Sequence, residues 1–96
     1  MNRVQINLEG PRLNVSNCDQ VKEEGLRLLA NSDASEMIIN MGNVEFIDSS
    51  GVGALVALRK AMGEDGIVTL INTHDFVDRV ITLTNLSRVF QVRRAA

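Results

Sequence analysis

The residues best suited to chemistry stand in one stretch, Asn43-Val44-Glu45-Phe46-Ile47-Asp48-Ser49-Ser50-Gly51-Val52-Gly53. An acid, two hydroxyls and two glycines sit where an extended segment gives way to an apolar run. Ser49 or Ser50 is expected at a helix N-cap, accepting from an orphan backbone N–H two or three residues on. The plainest reading is a capped helix start and nothing more. The same physics permits a sharper one. A phosphate on Ser49 would bring about −1.5 to −2 charges to the positive end of a helix dipole. Amides around Ser50 to Gly53 could receive its oxygens. A partner docked there would meet new negative charge beside Asp48 and be repelled, a binary switch without refolding. Gly51 and Gly53 would bare the first turn to close approach by another backbone.

Other chemistries find too few parts. Gly51-x-Gly53 lacks the third glycine of a dinucleotide loop, and no Gly-Lys-Ser/Thr ending follows. The pattern is not Gly-x-Ser-x-Gly, and the chain has one histidine, His74, so a nucleophile–base pair cannot be assembled. One cysteine, Cys18, builds neither a disulfide nor a thiolate metal site, so neither metal nor cofactor is expected. Cys18 reads as a small core residue and His74 as surface or cap material. Ten Lys and Arg stand against twelve Asp and Glu, a net charge of −2, and the aromatics are Phe46, Phe76 and Phe90 alone. That balance argues against nucleic acid, and Arg93-Arg94 is too short to reverse it. No apolar run approaches the roughly 18 residues of a membrane span. Met1-Asn2-Arg3-Val4 leads into a strand with no apolar signal core, so a cytoplasmic chain without membrane insertion is expected.

The elements that must position Ser49 follow from periodicity. Val4, Ile6 and Leu8 alternate with Arg3, Gln5 and Asn7, a half-buried strand. After the Gly10-Pro11 turn, Leu13 and Val15 suggest a short second strand beside the first. Ser16 or Asn17 caps an amphipathic helix with Cys18, Val21, Gly25, Leu28 and Leu29 on one face, Gly25 for close packing on a sheet. Met37, Ile38 and Ile39 make an interior strand, and Val44 to Ile47 an extended lead into the helix at Val52 to Met62. Ile67 to Ile71 is the next strand. Asn72 or Thr73 caps a third helix with Val80 and Ile81 inward, ended by Asn85 as a left-handed cap. Arg88 to Val92 is expected as a last strand, with Val89 or Phe90 inward and a frayed Arg93-Arg94 tail. Strands separated by helices imply right-handed parallel crossovers. The aliphatic composition suits one α/β domain over residues 1–96, with a mixed sheet and helices packed mainly on one face.

The stretch Val44 to Leu55 resembles the central signature of the STAS domain, shared by bacterial anti-sigma factor antagonists and the cytosolic tails of sulfate transporters. Val68-Thr69-Leu70-Ile71-Asn72, Leu83-Thr84-Asn85-Leu86 and Val89-Phe90 extend the likeness over about Val4 to Val92. The resemblance implies a regulatory protein that is not an enzyme and needs no cofactor. Such an antagonist binds an anti-sigma factor that is also a serine kinase, and a sigma factor is released. The kinase phosphorylates the serine after the motif's Asp, which is Ser49 here, with Ser50 as the neighbouring candidate; a PP2C-type phosphatase reverses this. The implied contact surface holds Asn14, Asp48, Ser49, Ser50, Gly51, Val52 and Gly53. Relatives often carry Gly-x-Leu-Asp after the first strand. Here Gly10-Pro11-Arg12-Leu13-Asn14 has one more residue and Asn14 in place of the acid. An alternative implied by the family is a constitutive subunit of an ABC-type lipid transport complex or a signalling scaffold; Asn14 leans that way, Asp48-Ser49-Ser50 toward the switch.

Overall fold

The computed structural model describes residues 2–96. Strands β1 (Arg3–Asn7), β3 (Glu36–Asn40), β5 (Ile67–Thr73) and β6 (Gln91–Arg94) form one sheet in the order β1-β3-β5-β6. Helices α1 (Cys18–Ala30), α2 (Ser49–Ala61) and α3 (Asp75–Leu83) fill the crossovers. Two short strands, β2 (Arg12–Leu13) and β4 (Phe46–Ile47), make a separate parallel pair.

Side-chain alternation explains where the helices lie. Ile6, Met37, Ile39, Val68 and Leu70 point to one face and join Leu55, Leu58, Val77 and Ile81 in a single core cluster. The opposite face is more polar: in one register row Gln5 lies beside the half-buried Ile38, Ile38 beside Thr69, and Thr69 beside Gln91. Thr69 Oγ1 donates to Glu36 Oε2 at 2.9 Å across that face. One apolar face and one polar face draw the helices to one side, as expected.

Every ladder among the described residues is parallel, where a mixed sheet was expected. The reason lies at the Gly10-Pro11 turn. It does not fold β2 back along β1; Pro11 O instead accepts from the Glu45 and Phe46 amides, at 2.8 and 3.1 Å. A Cβ on Gly10 would lie 1.5 Å from the Asn43 carbonyl oxygen, so only glycine lets the two connections cross this closely. The crossing carries β2 to β4, the strand that leads into α2.

Four further expectations shift. Gly25 packs against Leu58 of α2 rather than on the sheet. The strand β5 runs on through Thr73, so His74 takes the N-cap position of α3. A 3-10 turn at Leu86–Arg88 delays the last strand to Gln91–Arg94. Phe90 turns inward, and Arg94 is held by Asp75 and Asp78 rather than frayed. Asn85 does adopt the left-handed conformation after α3, with φ 60°.

Candidate functional site

The start of α2 is built by three elements. Ile47 buries its side chain and fixes the exit of β4. Asp48 then takes the N-cap position in an extended conformation, and its Oδ1 accepts the Gly51 amide at 2.9 Å. Its own amide donates to Leu13 O at 3.3 Å, which ties the helix start to β2. Neither serine is the cap, contrary to the expectation. Aspartate out-competes them because the chain is still extended at Asp48 and already helical at Ser49, and only the residue at that break can reach the third amide.

This shift sharpens the site. Ser49 becomes the first helical residue and is exposed, while Ser50 is half-buried. Asp48 consumes the Gly51 amide, and the Val52 amide closes the first helical bond to Asp48 O. The Ser49 and Ser50 amides find no acceptor among the described residues. The first turn of α2 holds no acid, whereas α1 and α3 begin with Asp19 and with Asp75 and Asp78. Two free N–H groups and a first turn with no acid beyond the Asp48 cap therefore surround the exposed Ser49 hydroxyl.

The two glycines part company. A Cβ on Gly51 would lie 2.4 Å from Leu13 O and 2.8 Å from Ile47 Cγ1. Gly51 is buried and serves packing, so it leaves the expected contact surface. A Cβ on Gly53 would meet nothing within 4 Å. Gly53 is exposed in a helix interior, where glycine costs about 1 kcal/mol relative to alanine, with no gain in packing inside the chain. Val52 is half-buried and packs against the core.

Asn14 lies in the loop beside this helix start. Its Oδ1 accepts from the Ser16 amide at 3.0 Å and from Ser16 Oγ at 2.6 Å, and its amide donates to Asn17 Oδ1 at 2.9 Å. An aspartate would accept the same two donors, so Asn14 keeps the turn and lowers the negative charge. The loop also exposes Val15, 74% accessible, which the periodicity had placed in a strand. Sequence reasoning missed a second exposed group, the Phe46 and Phe76 rings. They stack with centroids 5.1 Å apart and 13° between planes. Only the fold brings α3 over β4, so spacing could not reveal the pair.

Among the described residues no group of three or more His, Cys, Asp or Glu could hold a metal ion. No helix there is long and apolar enough to cross a membrane. The chemistry on offer is a hydroxyl, two amides and a bare helix face.

Known proteins place this architecture. A protein of Thermotoga maritima, provisionally named as an anti-sigma factor antagonist, is 28% identical over 90 residues, covering 93% of this chain and 80% of its own. Its crystal structure superposes with TM-score 0.79 at 26% identity, over 93% of this chain and 78% of that one. An anti-sigma-factor antagonist (STAS) domain protein from Planctomyces limnophilus gives TM-score 0.84 at 22% identity, over 96% and 82%. The Bacillus cell fate determinant SpoIIAA in its phosphorylated form gives 0.68 at 21%, over 92% and 79%, and shares the fold. Residues 2–95, nearly the whole chain, match the STAS domain itself, and the chain belongs to the STAS domain family.

Proposed function

We propose that this chain is an anti-sigma factor antagonist. It binds an anti-sigma factor that is also a serine kinase, so that a sigma factor is released, and phosphorylation of Ser49 switches it off. A PP2C-type phosphatase resets it. The observation that carries this reading is the position of Ser49: exposed, first in α2, next to the Asp48 cap and two free amides, with no acid inside the first turn. The names of its relatives support the partner class.

Chemically, the chain supplies only the acceptor. Ser49 Oγ attacks the γ-phosphorus of ATP held by the kinase, the bond to ADP breaks, and the hydroxyl proton passes to a base of the kinase. The new phosphate lies over the Ser49 and Ser50 amides, which lowers its cost to the free chain. The fold has no need to move. The partner surface on Asn14, Asp48, Ser49, Ser50, Val52 and Gly53 now carries about two further negative charges, and a partner matched to the neutral hydroxyl is displaced.

The test is incubation with the serine-kinase anti-sigma factors of the same organism and ATP, with the phosphate mapped by mass spectrometry. Label on Ser49 is expected. Absence of label on both Ser49 and Ser50 with every such kinase overturns the switch.

A further inference from the structure

The aromatic pair has no task in the fold that would explain its exposure. Phe46 and Phe76 are each 43% accessible although stacked on one another. Phe46 is stacked on Phe76, which lines a shallow cleft with Glu45, Thr73, His74, Asp75, Ala95 and Ala96. Its charge is negative. Asp75 and Asp78 share Arg94, whereas Glu45 is exposed and forms no ion pair among the described residues. Thr73, which lines the cleft, holds the one buried side-chain polar atom without a partner among those residues, its Oγ1. The His74 ring is turned to the chain itself, with Nε2 2.7 Å from Gly42 O.

The patch also adjoins the switch. Phe46 precedes Ser49 by three residues, so their Cα atoms are no more than about 11 Å apart. An aromatic face beside an unpaired carboxylate selects a cation, and a planar guanidinium most of all. It can stack on the ring and donate two parallel hydrogen bonds to Glu45. We infer that the Phe46–Phe76 stack with Glu45 is a second docking point, one that takes an arginine side chain from the protein partner seated on Ser49. This rests on the reading that a protein docks at Ser49, but the patch can be tested apart from it. A negative phosphate on Ser49 attracts a cation, so arginine capture itself survives the switch.

The experiment titrates the isotope-labelled chain with a blocked tetra-arginine peptide and follows amide shifts by NMR. Shifts at Glu45, Phe46 and Phe76 are expected. Tetra-lysine should bind at least fivefold more weakly, and Glu45→Lys and Phe76→Ala should each weaken tetra-arginine at least fivefold, with circular dichroism unchanged. Shifts centred instead on Asp19, Glu23 and Glu24 of α1, or an undiminished affinity in Glu45→Lys, overturn the inference. Ser49→Asp should leave peptide affinity equal or raised, whereas the switch requires it to weaken the kinase. The two readings can thus fail separately. With a kinase that labels Ser49, Glu45→Lys should lower affinity at least tenfold and Leu83→Ser, at a 75% accessible site on α3, less than twofold. Equal losses in the two variants also overturn it.

Discussion

Helices α2 and α3 both leave a strand on an extended residue, yet they solve their N-termini in opposite ways. In α3 the first helical residue is Asp75, the second Phe76 and the third the buried Val77. His74 offers no side-chain cap, and the dipole is met by Asp75 and Asp78, themselves held by Arg94. In α2 the corresponding residues are Ser49, Ser50 and Gly51. There a true cap, Asp48, does the work from outside the helix, and no acid stands within the first turn. The third residue faces inward in both, which is why one is a valine and the other a glycine pressed on Leu13. The difference teaches what α2 keeps open. Its first position holds a neutral hydroxyl where α3 holds a carboxylate, and a phosphate on Ser49 would make the two starts alike.

The comparison breaks most severely at the third position. Gly51→Ala forces a methyl against the Leu13 carbonyl and Ile47, neither of which can retreat without moving β2 or β4. Overpacking of this kind costs about 1–3 kcal/mol, more where backbone is the obstacle. Urea unfolding should show it as a lower midpoint at an unchanged slope. Removing the cap comes next. Asp48→Ala should cost about 1 kcal/mol, while Asp48→Asn, which keeps the acceptor, should cost only a few tenths. If the two variants melt together, the Gly51 amide is not what Asp48 holds.

Much of this was legible in the residues. Period-two alternation in Arg3 to Leu8 and the apolar run Met37 to Ile39 gave the strands, because burial of one face writes itself directly into spacing. The left-handed Asn85 and the inward Phe90 were legible for the same local reasons. The pairing of β2 was not, since it depends on a crossing of Gly10 over Asn43 that no local pattern encodes. The cap was misplaced by one residue because Asp48, Ser49 and Ser50 all have capping side chains. Only the backbone angle at the break, ψ −175° at Asp48, decides among them. The Phe46–Phe76 stack is tertiary throughout.

Gly53 offers a smaller effect of opposite sign. Its Cβ position is empty and α2 continues well past it, so Gly53→Ala should stabilise the free domain by about 0.5–1 kcal/mol. The same methyl stands on the face proposed to meet a partner. Gain in thermal stability together with loss of partner affinity is the expected pair of results. A variant that gains both would mean that nothing approaches α2 closely at that turn.

The smallest expected change in stability is the most informative about Ser49. Ser49→Asp places at the first position of α2 the residue that α3 already has there. The added carboxylate meets the helix dipole and two free amides, which favours the folded state by about 0.3–1 kcal/mol at low ionic strength. Asp48 alongside opposes it, and added salt should shrink the net gain because the position is exposed. The proposed switch requires the same substitution to weaken binding of the proposed anti-sigma partner at least tenfold, since it supplies part of the charge that a phosphate would bring. Stability and binding must therefore move in opposite directions from a single exposed side chain. A Ser49→Asp chain that is destabilised would show that the α2 start does not welcome an anion. One that is stabilised yet binds as the parent does would show that the anion, though welcome, is no switch.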